Sequence, residues 1–141
     1  MAANKITPLY FADGYLKSWF DHEKKVLVIK FFSLNLGIHR QKAFDINVNT
    51  VEKYKGNTAI LDASEATGHH QPSDTDWIMN TALPGYKAKG IRLIIYVFPD
   101  NMIARIGART WLEMAGKFGF DFLQANTIDE GYELLKSHTF R

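Results

Sequence analysis

Apolar positions change their spacing along this 141-residue chain, and each change marks an element. Tyr15-Leu16-Lys17-Ser18-Trp19-Phe20 alternates between two faces, setting Tyr15, Lys17 and Trp19 against Leu16, Ser18 and Phe20. It follows Leu9-Tyr10-Phe11 and the turn-forming pair Asp13-Gly14, so it reads as an aromatic strand entered from a short N-terminal arm or hairpin over residues 1–14. Polar Asp21-His22-Glu23-Lys24 then turns the chain into Lys25 to Phe32, whose β-branched and aromatic content predicts a buried antiparallel partner. From Ile38 to Lys55 the period lengthens. Phe44, Val48, Val51 and Lys55 recur at helical spacing, with Arg40, Gln41, Asn47 and Glu52 elsewhere around the cylinder, and Gly56-Asn57 stops the helix.

Thr58 to Asp62 is a short apolar strand ending at a carboxylate, followed by a polar loop. The spacing Ser73-Asp74-Thr75-Asp76 predicts a capping box, with Ser73 as the cap and Asp76 reaching back, opening a helix that carries Trp77, Ile78 and Thr81 until Pro84-Gly85 interrupts it. Ile91 to Phe98, apolar apart from Arg92, reads as a central strand covered on both faces. Pro99-Asp100-Asn101 turns the chain into a helix from Met102 to Lys117, with Ile103, Gly107, Trp111, Met114 and Phe118 in one stripe. Phe120 to Ala125 is a last strand, and Thr127-Ile128-Asp129-Glu130 a second capping box before a helix with Ile128, Tyr132 and Leu135 on one side. The order ββαβαβαβα predicts an α/β fold: a mixed, mostly parallel five-stranded sheet with an antiparallel N-terminal edge strand and four helices. No repeat or linker divides residues 1–141, so one domain is expected.

Composition narrows the function classes. Hydrophobic residues are 46% and charged residues 23%, as in a globular domain. The absence of cysteine excludes disulfide scaffolds, thiolate metal sites and Cys nucleophiles. A net charge of +2 without a basic run argues against nucleic-acid or polybasic membrane-surface partners. The longest apolar run, Leu93 to Phe98, is too short for a bilayer, and the start lacks the apolar core of a signal peptide. A soluble cytoplasmic chain without membrane insertion is expected.

The hairpin into Val26-Leu27-Val28-Ile29-Lys30-Phe31, then Ala59-Ile60-Leu61-Asp62-Ala63-Ser64, Ile91 to Pro99 and Thr127-Ile128-Asp129-Glu130-Gly131 together resemble the SpoIIAA-like, or STAS, superfamily, in its branch of free-standing bacterial single-domain proteins. The resemblance spans nearly the whole chain. It implies a non-enzymatic regulatory module that binds a protein partner or, as in distant relatives with the CRAL-TRIO fold, a lipid or other small apolar ligand. In the family's anti-sigma-factor antagonists the helix after the second parallel strand begins with a phosphorylatable Ser in an Asp-Ser-Ser/Thr-Gly motif. The corresponding stretch here is Ser73-Asp74-Thr75-Asp76-Trp77, which lacks the Gly and flanks the hydroxyl with two carboxylates, so a phosphate would meet like charge. Ser73 is therefore read as a helix cap.

Ligands of open α/β sheets sit beyond the carboxyl ends of the strands, where Ser33, residues 62–68, 99–101 and 124–126 are expected. The long loop there carries His69-His70, with Asp62, Glu65, Asp74 and Asp76 nearby, a donor set that a metal-dependent hydrolase would use. Adjacent histidines alternate direction in extended backbone, and no H-x-H or H-E-x-x-H spacing converges them, so no metal and no cofactor is assigned. Arg105 and Arg109 share a helix face, suited to an anionic ligand or to a plain Arg109–Glu113 pair. No G-x-G-x-x-G, Walker A or G-x-S-x-G run supports nucleotide or serine-hydrolase chemistry. The reading is a non-catalytic interaction module whose partner-binding residues are Asp62, Ser64, His69, His70 and Ser73 to Trp77, including Asp74, Thr75 and Asp76, with Arg105 and Arg109 beside them. A small apolar or anionic ligand held between the strand ends and the helices carrying Trp77, Arg105 and Arg109 is the first alternative, and the hydrolase the second. Tyr10, Phe11 and Trp19 belong to a short edge element that cannot bury both faces, and suggest a homodimer through the hairpin.

Overall fold

The computed structural model describes residues 5–68, 71–98 and 102–140, with backbone alone for 102–108 and 111. Six strands form one sheet in sequence order: β1 (Ile6–Ala12), β2 (Leu16–Asp21), β3 (Val26–Phe31), β4 (Thr58–Asp62), β5 (Leu93–Val97) and β6 (Asp121–Ala125). β1 and β2 pair antiparallel, as do β2 and β3; from β3 to β6 every pairing is parallel. This is the mixed, mostly parallel α/β architecture that the alternation of periods predicts. The sheet has one strand more than expected, because the N-terminal arm is itself a seven-residue strand paired from Ile6 with Asp21 to Ala12 with Leu16. Only Leu9-Tyr10-Phe11 marks it in the sequence, since Pro8 and a bulge between Pro8 and Tyr10 break its alternation. Both features suit an edge, where one side of the ladder faces no partner strand.

The helices are α1 (His39–Tyr54), α2 (Pro72–Trp77), α3 (Leu83–Ala88), α4 (Met102–Lys117) and α5 (Ile128–Ser137). A π-helical turn over Ile78–Ala82 joins α2 to α3 without a break, so the described residues hold four helical segments. Pro84 does not interrupt the helix. The N–H of Leu83 reaches back five residues to the carbonyl of Ile78. That wider turn makes room for the proline ring, which in an α-helix would collide with the carbonyl four residues before it.

The two faces of the sheet are unequal. Leu16, Phe20, Leu27, Ile29, Phe31, Ala59, Leu61, Ile94 and Tyr96 point to one side and join a core with α1, the α2–α3 segment and Met114 and Ala115 of α4. Val26, Val28, Ile60, Leu93, Ile95, Val97 and Ala125 point to the other, where Ile128, Tyr132 and Leu135 of α5 cover them. Thr127 caps α5 by accepting the N–H of Glu130 at 3.0 Å, as the spacing predicts. Gly131 lets this helix settle onto the sheet, since an added Cβ would lie 3.3 Å from Ile95.

Phe20 is the keystone of the hairpin's attachment. It is fully buried, stacks on Tyr54 at a centroid distance of 5.5 Å and meets His22 edge-on, tying β2 to the end of α1. Truncating a ring so enclosed removes its transfer free energy and leaves a void. Phe20→Ala is expected to cost about 3–5 kcal/mol in urea unfolding at unchanged m-value. A loss below about 1 kcal/mol would show that the hairpin is held elsewhere.

Candidate functional site

The carboxyl ends of β3 to β6 form one rim of the sheet, and the segment after β4 lies along it. Asp62, only 2% exposed, folds back on its own turn: its Oδ1 accepts from the backbone N–H of Ser64 at 2.9 Å and from the Ser64 hydroxyl at 2.6 Å. Ala63 donates to the carbonyl of Val97 at 3.0 Å, and Thr67 accepts the N–H of Leu34 and donates its own to the carbonyl of Phe32, forming a parallel bridge with Ser33 that extends β3 toward the loop. Glu65 pairs with Lys30, which hydrogen-bonds and attracts it and so holds its carboxyl below the ordinary range. His69 and His70 lie outside the described residues, as do residues 99–101. Among the described residues no three of His, Cys, Asp and Glu gather as a metal site would require.

The start of α2 differs from the spacing-based expectation. Its cap is Gln71, not Ser73, with Pro72 in the first turn. Asp74 accepts the N–H of Gln71 at 2.9 Å, while its own N–H donates to the Gln71 carbonyl at 2.9 Å. Proline explains the shift: its fixed φ and missing N–H suit the first helical position, so the cap falls two residues before the hydroxyl that the spacing offers for it. Ser73 and Asp76 are exposed, Thr75 and Trp77 are half-buried, and Asp74 is 6% exposed.

Asp74 is buried because Arg40, on the first turn of α1, forms an ion pair with it. The same guanidinium lies over the Trp77 ring at 5.5 Å, Trp77 donates its indole N–H to Gln41 at 2.7 Å, and Phe44 meets the ring edge-on at 5.5 Å. Arg40 is thus the central residue of a clasp between α1 and α2, although the apolar spacing of Phe44, Val48 and Val51 puts it elsewhere around the cylinder. The signal was there: residues 40, 43, 44, 47, 48 and 51 form one helical stripe, and Arg40 and Asn47 are its polar members. Arg109 is exposed on α4, and among the described residues no ion pair joins it to Glu113; the side chain of Arg105 lies outside the described residues.

Beneath the clasp, between α1, the α2–α3 segment and the sheet, lies a cavity of about 70 Å³. Leu61, Ile94 and Tyr96 form part of its floor, Ala43 and Phe44 one wall, and Ile78, Ala82 and Leu83 the other. A void of that size forfeits on the order of 1.7 kcal/mol of packing, at about 24 cal/mol per Å³. Asn47, 1% exposed, and Tyr86 bring polar atoms to its lining. Ser18 donates to the Asn47 side-chain carbonyl at 2.8 Å, and the Asn47 amide donates to the Tyr86 hydroxyl at 3.4 Å. Burial pushes the Tyr86 phenol above its ordinary pKa, a shift the Asn47 bond opposes.

The face of the hairpin beyond the reach of α5 is open. Ile6 is 50% and Phe11 66% exposed, beside exposed Pro8 and half-buried Trp19, over which Lys17 sits at 5.6 Å. Tyr10, by contrast, turns to the helical side, where its hydroxyl meets His39 Nδ1 at 2.7 Å.

No family model and no curated protein matches the chain. Among solved structures it is similar to the crystal structure of apo-SiaC from Pseudomonas aeruginosa, at 12% identity over 84% of this chain and 97% of that chain, with a TM-score of 0.47. A likeness of that degree carries no argument about function, which rests on the residues themselves.

The clasp has a measurable signature. Removing Arg40 strands a buried carboxylate, and because Arg40 is partly open to water the expected cost of Arg40→Ala is on the order of 2 kcal/mol, below the full penalty for a sealed pair. In an Asp74→Asn background the same substitution should cost clearly less, and a double-mutant cycle by urea unfolding reads the difference. Additive losses would mean that the pair is incidental.

Proposed function

We propose that the chain is a non-catalytic regulatory module of the SpoIIAA-like, STAS type, working in the cytoplasm as a single unit, that engages a protein partner through the rim from Asp62 to Trp77. The observation that carries this reading is how that rim is built. Its two buried carboxylates, Asp62 and Asp74, are each engaged by neighbouring groups, Ser64 for one and Arg40 and Gln71 for the other. They act as foundations. Exposed Glu65, Gln71, Ser73 and Asp76 are left on a firmly seated, mildly acidic edge, the kind of surface that recognises without bond-making chemistry. The residues around Ser64, His69, His70, Ser73 and Thr75 would supply the polar contacts, with Trp77 behind them. Among the described residues no helix is long and apolar enough to cross a membrane.

A photo-crosslinking amino acid at Ser73 tests this in the producing cells, with one at exposed Glu133 on α5 as control. The expected outcome is a discrete protein adduct at position 73 that is absent at 133 and lost when Gln71 and Asp76 are both changed to Lys. No adduct at 73, or equal labelling at both positions, would count against the rim as the working surface.

The open hairpin face supports self-association as a second property of the same module. The neighbouring Ile6, Pro8, Phe11 and Trp19 beside the edge of β1 suit a second copy of the chain. Sedimentation at tens of micromolar should then give a dimer, and Phe11→Glu, at a position that contributes little to the core, should return it to monomer without loss of stability. A strict monomer for the unchanged chain would dismiss the idea.

A further inference from the structure

The void under the clasp has properties that random imperfect packing does not supply. It lies against a π-helical turn, two of whose residues, Ile78 and Ala82, line it, and such turns recur where a helix is adapted to a site. Its polar part is directional. Ser18 donates to Asn47 and Asn47 donates to Tyr86, so the chain of bonds ends in the Tyr86 O–H, for which no acceptor is found among the described residues. Tyr86 is half-buried, and on its cavity side the hydroxyl keeps a proton to give that an acceptor in the cavity would take. Arg40, two turns before Asn47 on α1 and itself in the lining, is committed to Asp74 and offers no free charge.

We infer that this cavity is a binding site for a small neutral organic molecule with an apolar body and one hydrogen-bond acceptor, a short-chain ketone, ester or alcohol, whose acceptor takes the Tyr86 proton while its body lies among Leu61, Ile78, Leu83 and Ile94. The class follows from three constraints. At about 70 Å³ the space is well below the roughly 150 Å³ that admits benzene, so the occupant is a compound of a few heavy atoms. Apart from the paired Arg40 and Asp74 at the clasp, and Asn47 and Tyr86, the lining is mainly apolar, so water, which needs two to four polar partners, is poorly held over most of it. No unpaired cation or anion is present in the lining to balance a buried charge, so the occupant is neutral. The clasp of Arg40, Asp74 and Trp77 lies over the way in, between α1 and α2, and its opening would admit the molecule. This site is distinct from the outward rim, and its failure would leave the rim reading intact.

Xenon and 2-butanone are the probes, followed by methyl-resolved NMR of the whole chain. Xenon reports apolar space alone, and butanone adds an acceptor. Both should shift the methyl signals of Leu61, Ile78, Leu83 and Ile94 in a saturable way. Tyr86→Phe should leave the xenon response unchanged and weaken butanone by about tenfold, the worth of one buried hydrogen bond. Ala59→Val, which pushes two methyls into the floor, should abolish both responses while the rest of the spectrum stays native. The inference is overturned if xenon shifts no lining methyl, if butanone binds Tyr86→Phe as well as the unchanged chain, or if water contacts to Tyr86 persist unaltered at saturating butanone.

Discussion

Right-handed crossover between parallel strands is the constraint from which the rest of this structure follows. β3, β4, β5 and β6 lie side by side in sequence order, so each right-handed connection places its helix on the same face of the sheet. α1, the α2–α3 segment and α4 therefore crowd one side. The opposite face is left to whatever comes after β6, and α5 turns back to cover β6, β5 and β4. One ten-residue helix cannot also cover the antiparallel hairpin, which is why Ile6 and Phe11 remain in the open while Val26 and Val28 two strands away are sealed.

The crowded side shows the same constraint from within. Helix crossings over a twisted sheet fit imperfectly where three segments meet, and here the middle segment also has to accommodate Pro84. Widening one turn to a π-helix solves the proline problem at the cost of spacing between Ile78 and Ala82. A cavity opens below, and Arg40 with Asp74 and Trp77 closes it above. Local backbone chemistry and packing are thus linked: the proline accommodated inside this segment leaves the layer beneath it underfilled.

Polar groups inside this layer are organised rather than scattered. Ser18, Asn47 and Tyr86 connect β2, α1 and α3, and Arg40 with Asp74 and Trp77 with Gln41 connect α1 with α2, so directed polar contacts join α1 to each of these neighbours. Such contacts add little net stability, but they penalise any sliding of α1 that would unpair them. The rim outside inherits that rigidity, since Asp74 belongs both to the clasp and to the first turn of α2.

Apolar spacing, β-branched runs and turn and capping residues identified the strands from Leu16 onward, the helical segments and the α/β class, because these signals are local in the chain. Composition bounded the chemistry for the same reason: absent residue types cannot act wherever the chain folds. The fate of Arg40, Asn47 and Asp74 was not legible in this way, as each is a polar residue whose burial depends on a partner 29 to 39 positions away that meets it only after the sheet has assembled. The same holds for β1, whose pattern is broken by Pro8 and which becomes a strand only by pairing with β2, and for the cap of α2, where proline geometry outweighed a better hydrogen-bonding side chain. Sequence determined which segments are regular and which faces are apolar; tertiary structure decided which polar groups meet and where space is left over, because those depend on distances that no local pattern encodes.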